Sequence, residues 1–138
     1  MGNYYAKIPV TPEGIKAIKE LETRGVKTTA TTIYTPMQAY LAAKAGADYV
    51  APYVNRIENL TGNGIQVVRE IVTIIEKYHF STKVLAASFK NAHQVQEVCL
   101  AGSHAVTASG EIIEALLTHP STPNDVAKFK EDWGSFYR

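Results

Sequence analysis

Three times in this chain a helical stretch is closed by a glycine and followed at once by an apolar strand: at Arg24-Gly25-Val26, Ala45-Gly46-Ala47 and Ala101-Gly102-Ser103. Glycine favours the position just past a helix because it tolerates the left-handed backbone found there. The opposite junctions, strand into helix, carry Thr11-Pro12-Glu13 and Thr35-Pro36, a capping hydroxyl followed by a proline suited to the first helical turn. A chain punctuated in this way reads as repeated βα units. Strands are expected at about Tyr5 to Val10, Lys27 to Ile33, Asp48 to Val54, Lys83 to Phe89 and His104 to Thr107. Between them run apolar stripes at helical spacing: Ile15, Ile18 and Leu21; Met37, Tyr40 and Leu41; Ile65, Val68, Val72 and Ile75; and Ala92, Val95 and Cys99. One further helix begins near Glu111, and a terminal one runs from about Thr122 through Phe129 and Trp133.

Strands alternating with helices imply a parallel sheet with right-handed crossovers. Two architectures satisfy that order: an open, flavodoxin-like doubly wound sheet, and part of a (βα)8 barrel. The strand contents favour the barrel. Parallel strands covered on both faces are almost wholly apolar, yet Lys7 lies within the first, Thr29 and Thr31 within the second and Ser88 at the end of the fourth. Alternation separates Lys7 from Ala6, Ile8 and Val10, so the apolar residues can meet the helices while the lysine points inward. Polar groups converging from several strand ends suit a barrel mouth. A complete barrel takes about 250 residues; with 138 residues and no room for three more βα units before Tyr5, the expectation is a single domain over residues 1–138 holding a five-stranded part of a barrel, which the resemblance given below numbers as strands four to eight.

Charge narrows the function classes. Lys and Arg total 14 against 13 Asp and Glu, so no chain-wide basic field would draw nucleic acid or an anionic membrane. The apolar runs fall far short of the ~20 residues that span a bilayer, no signal-like stretch follows Met1, and the one cysteine, Cys99, fits a reducing, cytoplasmic compartment. His79, His93, His104 and His119 lack metal-ligand spacing, so no metal and no cofactor is expected. Gly62-Asn63-Gly64 reads as a turn into a helix rather than a phosphate loop.

Lys7 is the first candidate for chemistry. A lysine amine with its ordinary pKa of about 10.4 is neutral in roughly one molecule in a few thousand at pH 7. Attack on a carbonyl therefore calls for burial or a neighbouring cation, and a strand interior would supply the burial. The plain alternative is an edge-strand lysine reaching solvent. Arg56 follows the third strand, and Ser88 and Lys90 end the fourth; a guanidinium, a hydroxyl and an ammonium at adjacent strand ends could cradle a phosphate. Solvated loop charge is the competing reading. Tyr53 would face the same mouth and hold or activate a water, or simply pack with its hydroxyl satisfied. Thr31 is more often a strand-former than a catalytic group.

Three stretches together resemble the fructose-6-phosphate aldolases, the small-subunit branch of the transaldolase family: Ala6-Lys7-Ile8-Pro9-Val10-Thr11 with Glu13-Gly14, then Ala47 through Arg56, then Val84 through Lys90. The resemblance runs the length of the chain. It implies that Lys7 is the Schiff-base lysine of the fourth barrel strand, that Thr31 and Tyr53 position the catalytic water, and that Arg56, Ser88 and Lys90 bind the substrate phosphate. Transaldolases proper carry phenylalanine where Tyr53 stands, so the resemblance implies a class I aldolase making or cleaving fructose 6-phosphate from dihydroxyacetone and glyceraldehyde 3-phosphate. Thr29 stands where transaldolases place asparagine and aldolases usually leucine, which leaves substrate preference open. Met1 falls where the family's third helix ends, so the family's first three strands are expected to be missing.

The aldolases form rings in which the terminal helix reaches a neighbour, and five strands cannot close a barrel, so a homo-oligomer is expected. Transaldolase proper, a catalytically inactive half-barrel that only self-associates, and a phosphate-binding module on a doubly wound sheet are the rival readings.

Overall fold

The computed structural model describes residues 4–60 and 62–136. Five strands form one sheet: β1 (Ala6–Pro9), β2 (Thr28–Ile33), β3 (Tyr49–Pro52), β4 (Lys83–Ala87) and β5 (Ala105–Thr107). Every pairing is parallel and the spatial order is β1-β2-β3-β4-β5, the order of the chain itself. That order excludes the doubly wound alternative. A doubly wound sheet reverses direction at a switch point so that helices cover both faces, whereas right-handed crossovers in strict sequence place all the connecting helices on one face. The sheet is thus an arc of a TIM-type barrel wall.

The connecting helices are α1 (Pro12–Thr23), α2 (Pro36–Lys44), α3 (Val54–Asn59), α4 (Gly64–Lys77), α5 (Ala92–Leu100), α6 (Gly110–Leu117) and α7 (Ser121–Phe136). The junction signals act as expected. Thr11 Oγ1 accepts from the Gly14 amide at 3.0 Å and Thr35 Oγ1 from the Gln38 amide at 3.3 Å. Gly25, Gly46 and Gly102 sit at φ of 70, 97 and 92°, the left-handed region that other residues enter at a cost. Asn63 makes the Gly62-Gly64 turn a helix start, its Oδ1 accepting from the Gln66 amide at 2.9 Å.

The core lies between the sheet and the helices. Parallel register aligns Ile8, Ala30, Val50 and Val84 as one row across four strands, and this row joins a buried cluster with Ile18 of α1, Ala39 and Ala42 of α2, Val68, Ile71 and Ile75 of α4, and Val98 of α5. Two expected stripes shift. On α2 the inward residues are Ala39, Ala42 and Ala43, while Met37 and Leu41 are exposed; alanines let this helix lie close against β2, β3 and α4. On α5 they are Gln94, Val95 and Val98, and Cys99 is exposed.

The chain after Pro52 also departs from expectation. Rather than extending as strand through Val54, it turns at Tyr53 into the short helix α3, so Arg56 sits on a helix and not in a loop. The terminal helix forms as anticipated, with no buried residue: Phe129, Trp133 and Phe136 are exposed.

Candidate active site

The row next to the apolar one has the opposite character. Lys7, Thr29, Tyr49 and Lys83 lie side by side on β1 to β4. Since directly paired parallel residues point the same way and neighbours along a strand alternate, this row faces the concave side, away from the helices. Thr31 is the next inward position on β2, opposite Pro9.

At the carboxyl end of β2 the pairing with β3 slips between Ala30 and Ile33, and Thr32 adopts φ of 58°. A β-branched residue at positive φ is a real outlier. Such strain persists where surrounding contacts over-determine it, and it concentrates at functional sites. Here the bulge lets Ile33 return to the core while Thr31 stays inward.

Thr31 Oγ1 and the Tyr53 hydroxyl are hydrogen-bonded at 2.8 Å. Tyr53 is held from both sides: its amide donates to the Ile33 carbonyl at 3.0 Å and its backbone bridges to Ala87 of β4. Three residues on, one turn along the chain, Arg56 lays its guanidinium 4.7 Å from the centre of the Tyr53 ring, a cation–π contact of about 0.5–1 kcal/mol at an exposed site. The Tyr34 ring meets Tyr53 edge-on at 6.0 Å.

The end of β4 repeats the pattern of strain. Ser88 has φ of 63°, and its carbonyl accepts from the Asn55 amide at 2.7 Å, tying this strand end to the start of α3. Of the non-glycine residues at positive φ among those described, Thr32 and Ser88 lie at strand carboxyl ends, while His79 follows the end of α4. Lys90 lies just before α5, exposed, with its amide donating to Gln94 Oε1 at 2.7 Å.

The structure thus brings Tyr53 into direct contact with both Thr31 and Arg56 and ties Ser88 by its carbonyl to Asn55 of the helix that bears Arg56, with Lys90 on the adjoining loop. Lys7 is the exception to expectation. Its position shares the concave face with Thr29 and Thr31, but it is exposed, not buried. β1 is the outer strand of the sheet, so among the described residues no further strand walls Lys7 on its far side; the edge-strand alternative describes its surroundings. The mouth is an open face for the same reason. A cleft of about 550 Å³ lies apart from it between α3, α4 and α5, lined by Glu58, Gln66 and Gln94.

Sequence reading missed Asn55 and Gln94. Gln94 is buried and bonded to Lys90, Asn55 and Glu58. The signal for it was present as Asn91-Ala92-His93-Gln94, the spacing at which a helix cap and its third residue bond each other's backbone. Indeed Asn91 Oδ1 accepts from the Gln94 amide at 2.9 Å.

Comparison with known proteins settles the family. The model of the transaldolase/fructose-6-phosphate aldolase family matches residues 1–136. The chain belongs to that family. A probable fructose-6-phosphate aldolase of Streptococcus pneumoniae is 46% identical over 94% of the chain. A probable transaldolase of Lactiplantibacillus plantarum is 40% identical over 97%, and one of Citrifermentans bemidjiense 44% identical over 95%. The names of these transaldolase-family relatives divide between aldolase and transaldolase. The chain spans 58, 62 and 61% of their respective lengths. Among the described residues no helix is long and apolar enough to cross a membrane.

Proposed function

We propose that this chain carries the Schiff-base and phosphate-binding portion of a fructose-6-phosphate aldolase. Lys7, as the neutral amine, adds to the ketose carbonyl; loss of water leaves an iminium. The bond between C3 and C4 then breaks, its electron pair passing to the iminium nitrogen to give an enamine, as the C4 hydroxyl loses its proton and glyceraldehyde 3-phosphate departs. Protonation of the enamine and hydrolysis release dihydroxyacetone and the amine. Tyr53, working through a water held with Thr31, moves these protons. Arg56, Ser88 and Lys90 grip the phosphate and so align the scissile bond.

The observation that carries this reading is the Tyr53 hydroxyl bonded to Thr31 at 2.8 Å beneath the Arg56 guanidinium, on the face Lys7 occupies. A phenol at that point favours the aldolase over the transaldolase branch. Incubation with dihydroxyacetone or fructose 6-phosphate and borohydride should leave a stable adduct on Lys7, located by peptide mass. Absence of the adduct from well-folded protein overturns the reading. A transaldolase proper would instead pass the three-carbon unit to an added aldose phosphate faster than it releases dihydroxyacetone.

A second reading, a catalytically silent half-barrel that self-associates, draws support from the exposure of Lys7 and of Phe129 and Phe136 on α7. Self-association also belongs to the aldolase reading, with α7 reaching a neighbouring copy; a stable monomer by light scattering removes it from both. The exposed Cys99 thiol fits a cytoplasmic setting.

A further inference from the structure

Gln94 is at once a helix-cap partner and a link between two strand ends. Its Oε1 accepts from the Lys90 amide at 2.7 Å, and its Nε2 donates to Asn55 Oδ1 at 3.3 Å and to the Glu58 carboxylate. Asn55 in turn gives its amide to the Ser88 carbonyl. The buried polar side chains of the described residues are otherwise threonines; Gln94 alone among them is a long amide, 7% exposed.

Capping does not account for this placement. Gln38 and Gln66 occupy the same third position of their helices, below Thr35 and Asn63. Gln38 bonds only the turn before its own helix, at Tyr34 and Thr35, and Gln66 only Glu70 and Arg69 of its own helix. Gln94 reaches across 39 and 36 residues of sequence to α3. It requires an acceptor towards Lys90 and a donor towards α3, a pairing that Glu, Met and Leu do not supply.

We propose that Gln94 is the positioning residue that sets the spacing of Arg56, Ser88 and Lys90, so that the three close on one phosphate group. The inference rests on the phosphate-binding role assigned above. A helix of six residues has little stiffness of its own, and the Gln94 amide fixes α3, which bears Arg56, at a set distance from the Lys90 backbone. With the link gone, each cation keeps its charge while the geometry that makes them converge is lost.

The test titrates inorganic phosphate into the full chain by calorimetry, comparing wild type with Gln94→Met, Gln94→Glu and, as a capping control, Gln66→Met. Both Gln94 variants should lose about tenfold in phosphate affinity, the size expected for hydrogen bonds that organise a charged site, while Gln66→Met stays within twofold. The borohydride adduct with dihydroxyacetone, which has no phosphate, should form equally in all four proteins. If Gln94→Met does not fold, Gln94→Asn, which keeps the amide but is too short to span the gap, takes its place. Unchanged phosphate affinity in folded Gln94 variants overturns the inference and leaves the phosphate site standing. Loss of phosphate binding and the dihydroxyacetone adduct together reduces Gln94 to a general packing role. A wild-type chain that binds no phosphate ends both the inference and the phosphate-binding assignment on which it rests.

Discussion

Two neighbouring rows of the same sheet differ sharply in burial and polarity. Ile8, Ala30, Val50 and Val84 form one, with the last three wholly buried beneath the helices. Lys7, Thr29, Tyr49 and Lys83 form the other, one residue earlier on every strand, with both lysines exposed. A shift of one residue along a strand changes the face, so this sequence writes a hydrophobic core and a polar concave face into the same few strands. The outer row is expected to govern stability and the inner row chemistry, with little crossover.

Four substitutions test that division. The largest effect is expected at Lys7. Lys7→Met should abolish the borohydride adduct outright and, because the side chain is exposed, change unfolding free energy by no more than about 0.5 kcal/mol; an adduct that survives on this variant breaks the assignment. Tyr53→Phe comes next. Loss of its hydroxyl bond to Thr31 should slow carbon–carbon cleavage by roughly a hundred- to ten-thousandfold in a rate assay, while adduct formation with dihydroxyacetone persists. A variant that cleaves at the original rate removes Tyr53 from proton transfer.

On the outer row's side the effects shrink and move to stability. Ile71, wholly buried in α4, should lose about 0.5–1.5 kcal/mol as Ile71→Val in chemical denaturation, with phosphate affinity untouched. Coupled loss of affinity would show that the two faces are not separable. The smallest change should run the other way. Thr28 is wholly buried among the helix-facing residues and its hydroxyl has no partner among the described groups, so Thr28→Val should stabilise by up to about 1 kcal/mol. Destabilisation on the same scale would point to a water or partner satisfying that hydroxyl.

Much of the fold was legible because its signals are local. Thr11, Thr35 and the glycines at 25, 46 and 102 act within a turn of where they stand, and the alternation that set Lys7 apart from Ile8 needs only the two-residue period of a strand. The stripes were less legible. Met37 and Leu41 are the larger apolar residues of α2, yet the face that packs is its alanine face, since what fits depends on how closely the partner elements approach. Of the site, Thr31, Tyr53, Arg56, Ser88 and Lys90 do lie together near the strand ends, but α3 and Gln94 were not visible, and Lys7 was expected under cover.

The sequence by itself determined the βα repeat, the ends of the helices and which residues of each strand share a face, because each is governed by backbone preferences over a few neighbouring positions. Tertiary structure alone decided that the strands run in unbroken order around one arc, that Thr31 bonds Tyr53, and that Gln94 spans two strand ends. Those outcomes depend on contacts between residues far apart in the chain, and no local preference encodes the distance between them.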